Sequence, residues 1–353
     1  MKHIVENIIR CTILLFCTTS LWAVNYTPEK MQVSLAVKVP GNEAKSYLLH
    51  AQKLQNSYFN YEWASDEQLP VLVFHKIEEQ EGQVCLMVQL TAMQDVYFNY
   101  SQHFLTGFKH NDCQFYLPGF WYRRNLRSPR EAPSFHTSDS WLVREDRLSA
   151  PLTGIFCEKE RKYLTVNRLD DFQQEVLTTH KEGEIILSGE TSLGFTGFEN
   201  IDGISALSFG FPYQEAPKTY IRKLTLAPAV KAFQLLRKGQ TLSLKWILRE
   251  SSGDDFSDFI RQTWEYCYDT YKPQPVATPF SVADMKQTIS EFFVSSLVEK
   301  HPLTYNSGIH LKIADCNGNG KAEVGFIGRV LLNSFNAWEY GWQQGREDLK
   351  ANS

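Results

Sequence analysis

LPVLVFHKIEEQEGQVCLMVQLTAMQDVYFNYSQHFLTGFKHNDCQFYL, residues Leu69–Leu117, decides the fold. Within it Leu69–Phe74, Gln83–Leu90, Val96–Tyr100 and Asp112–Leu117 read as strands, and apolar and polar residues alternate most clearly in Gln83–Leu90. That period of two is the signature of a strand with one face in a core and one in water. Working outward, Met31–Val39 alternates in the same way, and Glu43–Leu54 reads as a short helix. Downstream, Gly154–Cys157, Tyr163–Val166, Glu184–Leu187, Ser205–Phe211, Thr219–Leu226 and Thr241–Leu248 continue the series. Turn signals such as KEGE at Lys181–Glu184 and RKGQ at Arg237–Gln240 separate them. Many short strands with few helical periods predict one large antiparallel β-sandwich over residues 24–250.

The pattern then switches. Phe256, Phe259, Ile260, Trp264, Cys267 and Tyr271 recur at helical spacing, and KPQPVATP (Lys272–Pro279) is a linker whose prolines cannot sit inside a helix. Val282, Met285, Ile289, Phe292, Phe293 and Leu297 predict a second amphipathic helix, and Val324, Ile327, Leu331, Phe335 and Trp338 a third. The chain therefore reads as mainly β with C-terminal α. Residues 251–279 form a helix and linker, and residues 280–353 a helical segment. The apolar faces of these helices are wide, and the tail QQGREDLKANS is polar. The helices are expected either to pack on the sandwich or to belong to a larger helical body.

The 353 residues are 43% hydrophobic and 22% charged, which is ordinary for a globular protein. A formal net charge of -4 supplies no broad basic field and argues against nucleic acid as a partner. Residues 1–23 read as an export signal: Lys2, His3 and Arg10 are basic, Ile13–Trp22 is a short apolar run, and Ala23 suits a cleavage site. Export places the protein in the periplasm or outside the cell. The bulky Phe16 before Cys17 argues against a lipid anchor, and no later stretch is long and apolar enough for a membrane span. Of seven cysteines, Cys11 and Cys17 would leave with the signal. Cys85, Cys113, Cys157, Cys267 and Cys316 are widely spaced with no CxxC, so buried free thiols with one optional bridge are expected.

One stretch stands apart. Phe120–Pro151 holds Arg123, Arg124, Arg127, Arg130, Arg144 and Arg147 and no lysine, together with Trp121, Tyr122 and Trp141. Pro129, Pro133 and Pro151 break it into extended pieces, with a brief strand expected near Trp141–Arg144. Forked guanidinium groups beside flat aromatic rings suit an acidic saccharide. Trp121, Tyr122, Arg123, Arg124, Arg127, Trp141, Arg144 and Arg147 are thus the substrate-binding candidates. The alternative is an ordered interface in which the arginines pair with Glu131, Asp139, Glu145 and Asp146. The two arrangements are compatible.

Three segments resemble secreted bacterial glycoside hydrolases of the six-hairpin glycosidase superfamily. They are FWYRRNLRSPREAPS with WLVREDRLSAPLT, then Ala206–Val230, and then Ala322–Gly341. The resemblance implies an N-terminal sandwich followed by an α/α toroid, and hydrolysis of a polysaccharide, here one containing uronate. Toroids of that kind use about a dozen helices. This chain shows three, so the resemblance implies a complete sandwich, an incomplete toroid and little hydrolase activity in this chain alone. A non-catalytic carbohydrate-binding protein and a polysaccharide lyase are the alternatives.

Glycoside hydrolysis needs two carboxyl groups flanking the bond. Asp139, Glu145, Asp146, Glu323 and Glu339 are available, with Asp146 and Glu323 as catalytic candidates, and sequence alone does not pair them. A lyase would want a tyrosine and histidine together, such as Tyr305 with His301 or His310. His136, His301 and His310 form no metal-ligand spacing, and Ser192 and Ser208 lack a nucleophile elbow. Asp315, Asn317 and Asn319 match the first half of a calcium loop, but the twelfth position is Phe326 where a bidentate acid belongs. A polar turn is the better reading of that segment, and no cofactor is expected.

Overall fold

The computed structural model describes residues 26–55, 59–80, 82–126, 133–170, 182–222, 225–275, 277–295 and 327–351. The chain divides into two compact units, Met1–Lys272 and Pro273–Ser353. The first unit is built of strands β1 (Met31–Lys38), β2 (Lys45–Lys53), β3 (Asn60–Ala64), β4 (Val71–Gln80), β5 (Gln83–Ala92), β6 (Val96–Lys109), β7 (Cys113–Leu117), β8 (Trp121–Arg123) and β9 (Trp141–Arg144). It continues with β10 (Leu152–Cys157), β11 (Lys162–Arg168), β12 (Gly183–Ile186), β13 (Phe195–Ile201), β14 (Ile204–Phe211), β15 (Gln214–Arg222), β16 (Thr225–Leu236) and β17 (Thr241–Ser252). The expectation of a mainly β chain with helices towards its C-terminal side is met.

A front sheet runs β9–β13–β14–β6–β1. A back sheet runs β8–β7–β10–β11–β17–β5–β4–β3–β2. All these neighbours are antiparallel, and pairing of β1 with β2 joins the two sheets. β12, β16 and β15 form a smaller flanking sheet, in which β12 and β16 are parallel. β16 continues onto β6, and β15 touches β9 at Ala216 and Leu142. Alternation dictates the layers: β4 buries Val71, Val73, His75 and Ile77 and turns the residues between them outward. The buried faces meet where Phe115 stacks on Phe198 at 4.0 Å and Phe209 meets Trp246 at 5.3 Å. Removing each such ring from water contributes about 1.5–3 kcal/mol.

β10 and β11 break the alternation because both their faces are covered. Helix α1 (Phe256–Tyr271) supplies the second cover. Asp255 caps it, accepting from the Ser257 and Asp258 amides at 2.8 and 2.9 Å. Lys272 ends it in a left-handed turn before Pro273. Its Phe259 is fully buried against Tyr116, Phe156, Tyr163 and Phe256. Residue 154 must be glycine here, since a Cβ would lie 2.5 Å from the Phe259 ring.

Several local readings are corrected. Glu43–Leu54, expected as a helix, contains β2, of which only Leu49 is buried. Its backbone is hydrogen-bonded to β1 on one side and β3 on the other, and these ladders outweigh a helix preference of at most about 0.7 kcal/mol per residue. Thr219–Leu226, expected as one strand, spans the end of β15 and the start of β16, an antiparallel pair. β3, β8 and β13 were not expected, and β6 runs nine residues beyond Tyr100, to Lys109. β13 and β14 form a two-residue hairpin in which Ile201 faces Ile204. Asp202 (φ 51°) and Gly203 (φ 84°) both take positive φ, the backbone that a tight hairpin with right-handed strand twist requires.

In the second unit, helix α2 (Val282–Ser295) begins with a reciprocal cap between Ser281 and Asp284. Helix α3 (Ile327–Gln344) is followed by the short α4 (Glu347–Ala351). Leu349 of α4 is fully buried beside Ala337 and Tyr340. Phe335, Trp338 and Trp342 remain exposed on α3.

Candidate functional site

The Asp202–Gly203 turn sets the register of β13 on β14, and that register assembles a polar cluster on the outer face of the front sheet. Direct cross-strand partners share a face. One row across the sheet is Gln32, His103, Ser208, Gly197 and Leu142. The next is Ser34, Ser101, Gly210, Phe195 and Arg144. Glu199 faces Ala206 and lies on the same side as Gly197. Across the small Ala206 and Ser208 it reaches His103, whose Nδ1 is 2.7 Å from Glu199 Oε2 and 2.9 Å from Ser208 Oγ.

Electrostatics favours one tautomer. A carboxylate oxygen this close to Nδ1 would repel a ring lone pair and so favours a hydrogen on Nδ1. Burial alone would push the Glu199 carboxyl up; the hydrogen bond and charge of His103, with help from Ser208, outweigh it and hold the carboxyl below its ordinary value. The His103 and Glu199 side chains are 20% and 27% exposed, so solvent reaches both. No protein group among the described residues hydrogen-bonds His103 Nε2. The arrangement is a carboxylate-backed imidazole on a rigid sheet, able to take or give a proton.

Among the described residues of the arginine-rich stretch, Arg144 and Arg147 are built inward. Arg144 makes a two-pronged contact with Asp146, Nε to Oδ1 at 2.9 Å and Nη2 to Oδ2 at 2.6 Å, and lies over the Tyr213 ring. Arg147 forks onto Glu215 of β15. Glu145 accepts from Arg168 Nη1 at 2.6 Å and from the Gly194 amide at 2.8 Å, and Arg168 also donates to Asp170 and to the Ser192 carbonyl. Burial pushes the Glu145 and Glu215 carboxyls up even beside their arginines. Buried pairs of this kind position chain segments more than they add net stability, because desolvation offsets the attraction.

Trp121 and Trp141 are in the core, 0% and 1% exposed, 5.7 Å apart, with indole N–H groups donating to the Arg123 and Ser138 carbonyls. A saccharide wall needs an open ring face, and these two rings have none. Tyr122 is exposed, Arg123 lies over Phe256, and Arg124 lies over Phe135 while donating to the Asn111 and Cys113 carbonyls. Of the nominated acids, Asp146 is held by Arg144, Asp139 accepts from Asn200, and Glu339 is exposed on α3. Arg127, Arg130, Glu131, His301, Tyr305, His310, Asp315, Asn317, Asn319 and Glu323 lie outside the described residues. Among the described residues no cluster of three or more His, Cys, Asp or Glu is placed to hold a metal ion, and no helix is long and apolar enough to cross a membrane.

Sequence reasoning passed over His103, Glu199, Arg168 and Glu215. The available signal was local: polar residues at alternate positions of otherwise apolar β6, and an Asp-Gly turn between two strand-like runs.

No family model matches this chain, and no curated protein matches it. Among solved structures it is similar to a polysaccharide lyase (14% identity, TM-score 0.32, covering 66% of this chain and 27% of the lyase). It is also similar to the GH36 alpha-galactosidase AgaB from Geobacillus stearothermophilus (10%, TM-score 0.34, 65% of this chain and 31% of the other). A third is a galactose mutarotase-like protein from Clostridium acetobutylicum (9%, TM-score 0.29, 63% and 79%). The described likeness thus spans about a quarter of the lyase and about a third of the galactosidase.

Proposed function

We propose that this protein acts on a saccharide at the outer face of the front sheet, with His103 as the proton-transfer group and Glu199 as its backing carboxylate. The observation that carries the reading is the His103–Glu199 contact: a partly open imidazole whose Nδ1 lies 2.7 Å from a carboxylate oxygen. A neutral imidazole of this kind can take a proton from a sugar hydroxyl or return one to a ring or bridging oxygen. Gln32 and Ser34, half-buried on the adjoining β1, offer an amide and a hydroxyl suited to sugar oxygens. The likeness of three segments to six-hairpin glycosidases supports a saccharide as the ligand. In this reading residues 1–23 export the protein and the helices beyond Lys272 are the first of a toroid.

Two-carboxylate hydrolysis is less well supported by the geometry. The site holds one carboxylate, and Asp146 is clasped by Arg144. The forks of Arg144 and Arg147 face internal acids, so the arginine content no longer singles out uronate. The test uses neutral and uronate-containing oligosaccharides. Binding is followed by calorimetry, anomer interconversion by polarimetry, and cleavage by release of reducing ends. His103→Gln is expected to abolish turnover by at least about a hundredfold, the usual share of a general base, with binding retained. Turnover unchanged in both His103→Gln and Glu199→Gln, or no binding and no turnover with any saccharide of the panel, would overturn the reading.

A further inference from the structure

We propose that Cys113 and Cys157 form a cross-strand disulfide that staples β7 to β10. The two residues are direct partners in the β7–β10 register, with Phe156 facing Gln114 beside them. The Glu158 amide donates to the Asp112 carbonyl at 3.2 Å, the bond that brackets a pair not itself hydrogen-bonded. In such a pair the Cα atoms are about 4.5 Å apart and the side chains stand closest. That separation lies within the range a disulfide accepts. Both side chains lie beside Phe115 and Ile155, buried at 0% and 2% exposure, and the structure shows them as free thiols, with Cys113 Sγ donating to the Lys109 carbonyl at 3.3 Å.

The other described thiols have different settings. Cys267 Sγ accepts from Asn167 at 3.1 Å, and Cys85 sits half-buried on β5. Among the described residues no third His, Cys, Asp or Glu joins the pair to hold a metal ion. The chain between the two cysteines contains the whole Phe120–Pro151 stretch. The bridge would close the base of that excursion, which carries the Arg144–Asp146 and Arg147–Glu215 contacts.

Glutathione disulfide, or another organic disulfide, is the oxidant. One cysteine, as its thiolate, attacks a glutathione sulfur, forms a mixed disulfide and expels glutathione thiolate. The second cysteine loses its proton and attacks the protein sulfur of that mixed disulfide, expelling the second glutathione. The protein loses two electrons and two protons, and the oxidant becomes two thiols. Burial pushes the Cys113 thiol up to about 12, so thiolate is scarce in the folded sheet. The exchange therefore belongs to the chain before the sheet closes, and the finished bridge is shielded from reductants.

The test unfolds the full chain in guanidinium and refolds it in a glutathione disulfide and glutathione buffer. An acid quench, alkylation and a non-reducing peptide map follow. The expected result is one linked peptide pair, Cys113 with Cys157, and two fewer alkylated thiols than in chain refolded under dithiothreitol. Dithiothreitol should lower the urea midpoint of the bridged protein and leave that of Cys157→Ala unchanged. The map needs no variant, so a Cys157→Ala chain that fails to fold does not shield the proposal. Alkylation of both cysteines after refolding with the oxidant, or their bridging to other cysteines, would overturn it.

Discussion

Replacing Arg168 by methionine strands a carboxylate. The Arg168 side chain is 3% exposed and that of Glu145 0%. The substitution removes the 2.6 Å bond to Glu145, the 3.1 Å bond to Asp170 and the 2.9 Å bond to the Ser192 carbonyl. Glu145 then keeps only the Gly194 amide, since its Oε1 has no donor. Breaking a buried pair from one side costs about 3–5 kcal/mol, a large share of the roughly 5–15 kcal/mol that holds a domain folded. Adding Glu145→Leu removes the stranded charge. Its own penalty is the orphaned Gly194 amide, about 1–3 kcal/mol, so the double variant should be more stable than Arg168→Met alone.

The pH dependence has a definite sign. The Glu145 carboxyl is raised in the folded state above its ordinary value of 4.5, because of burial. Folding therefore favours its protonated form, and stability is gained as pH falls from neutral towards that ordinary value. Loss of Arg168 enlarges the gain. Urea unfolding followed by tryptophan fluorescence suits the measurement, since Trp63, Trp121, Trp141 and Trp246 are buried in the sandwich. Trp264, Trp338 and Trp342 are already exposed and change little. An Arg168→Met protein within about 1 kcal/mol of wild type, or a double variant as unstable as the single, would refute the reasoning.

Two further outcomes are expected. His75 is fully buried with Nε2 2.5 Å from the Tyr100 hydroxyl, and burial pushes its imidazole down to about 3. A depressed histidine contributes stability above its unfolded value that is lost as pH falls towards the folded one, at about 1.4 kcal/mol per unit. His75→Phe should flatten the urea midpoint between pH 6.5 and 3, and an identical slope in both proteins would count against it. Phe259→Ala empties the site between Gly154, Phe156 and Tyr163 and should cost about 3–5 kcal/mol, with faster amide exchange in α1. Unchanged exchange in α1 would show that Phe259 does not fasten the helix.

The alternation in Leu69–Leu117 and the helical spacing of Phe256–Tyr271 made the layers legible, because a residue's burial on its own element repeats with that element's period. The Trp141–Arg144 strand was visible for another reason, the prolines that break its stretch into short extended pieces. The segment Lys45–Lys53 was misread because its local pattern favours a helix, while two neighbouring strands claim its backbone. The local signal of alternating polar residues on β6 and an Asp-Gly turn did not say which residues would meet. His103 meets Glu199 and Cys113 meets Cys157 only through register, and Arg168 meets Glu145 only through contact between segments that are not paired. Trp121 and Trp141 read as open rings until the opposing sheet covered them. A period says which face of a strand is buried, and that is local physics that the chain alone determined. Which residue stands across from it depends on turns, strand order and the layer packed above, and those exist only once distant segments have met.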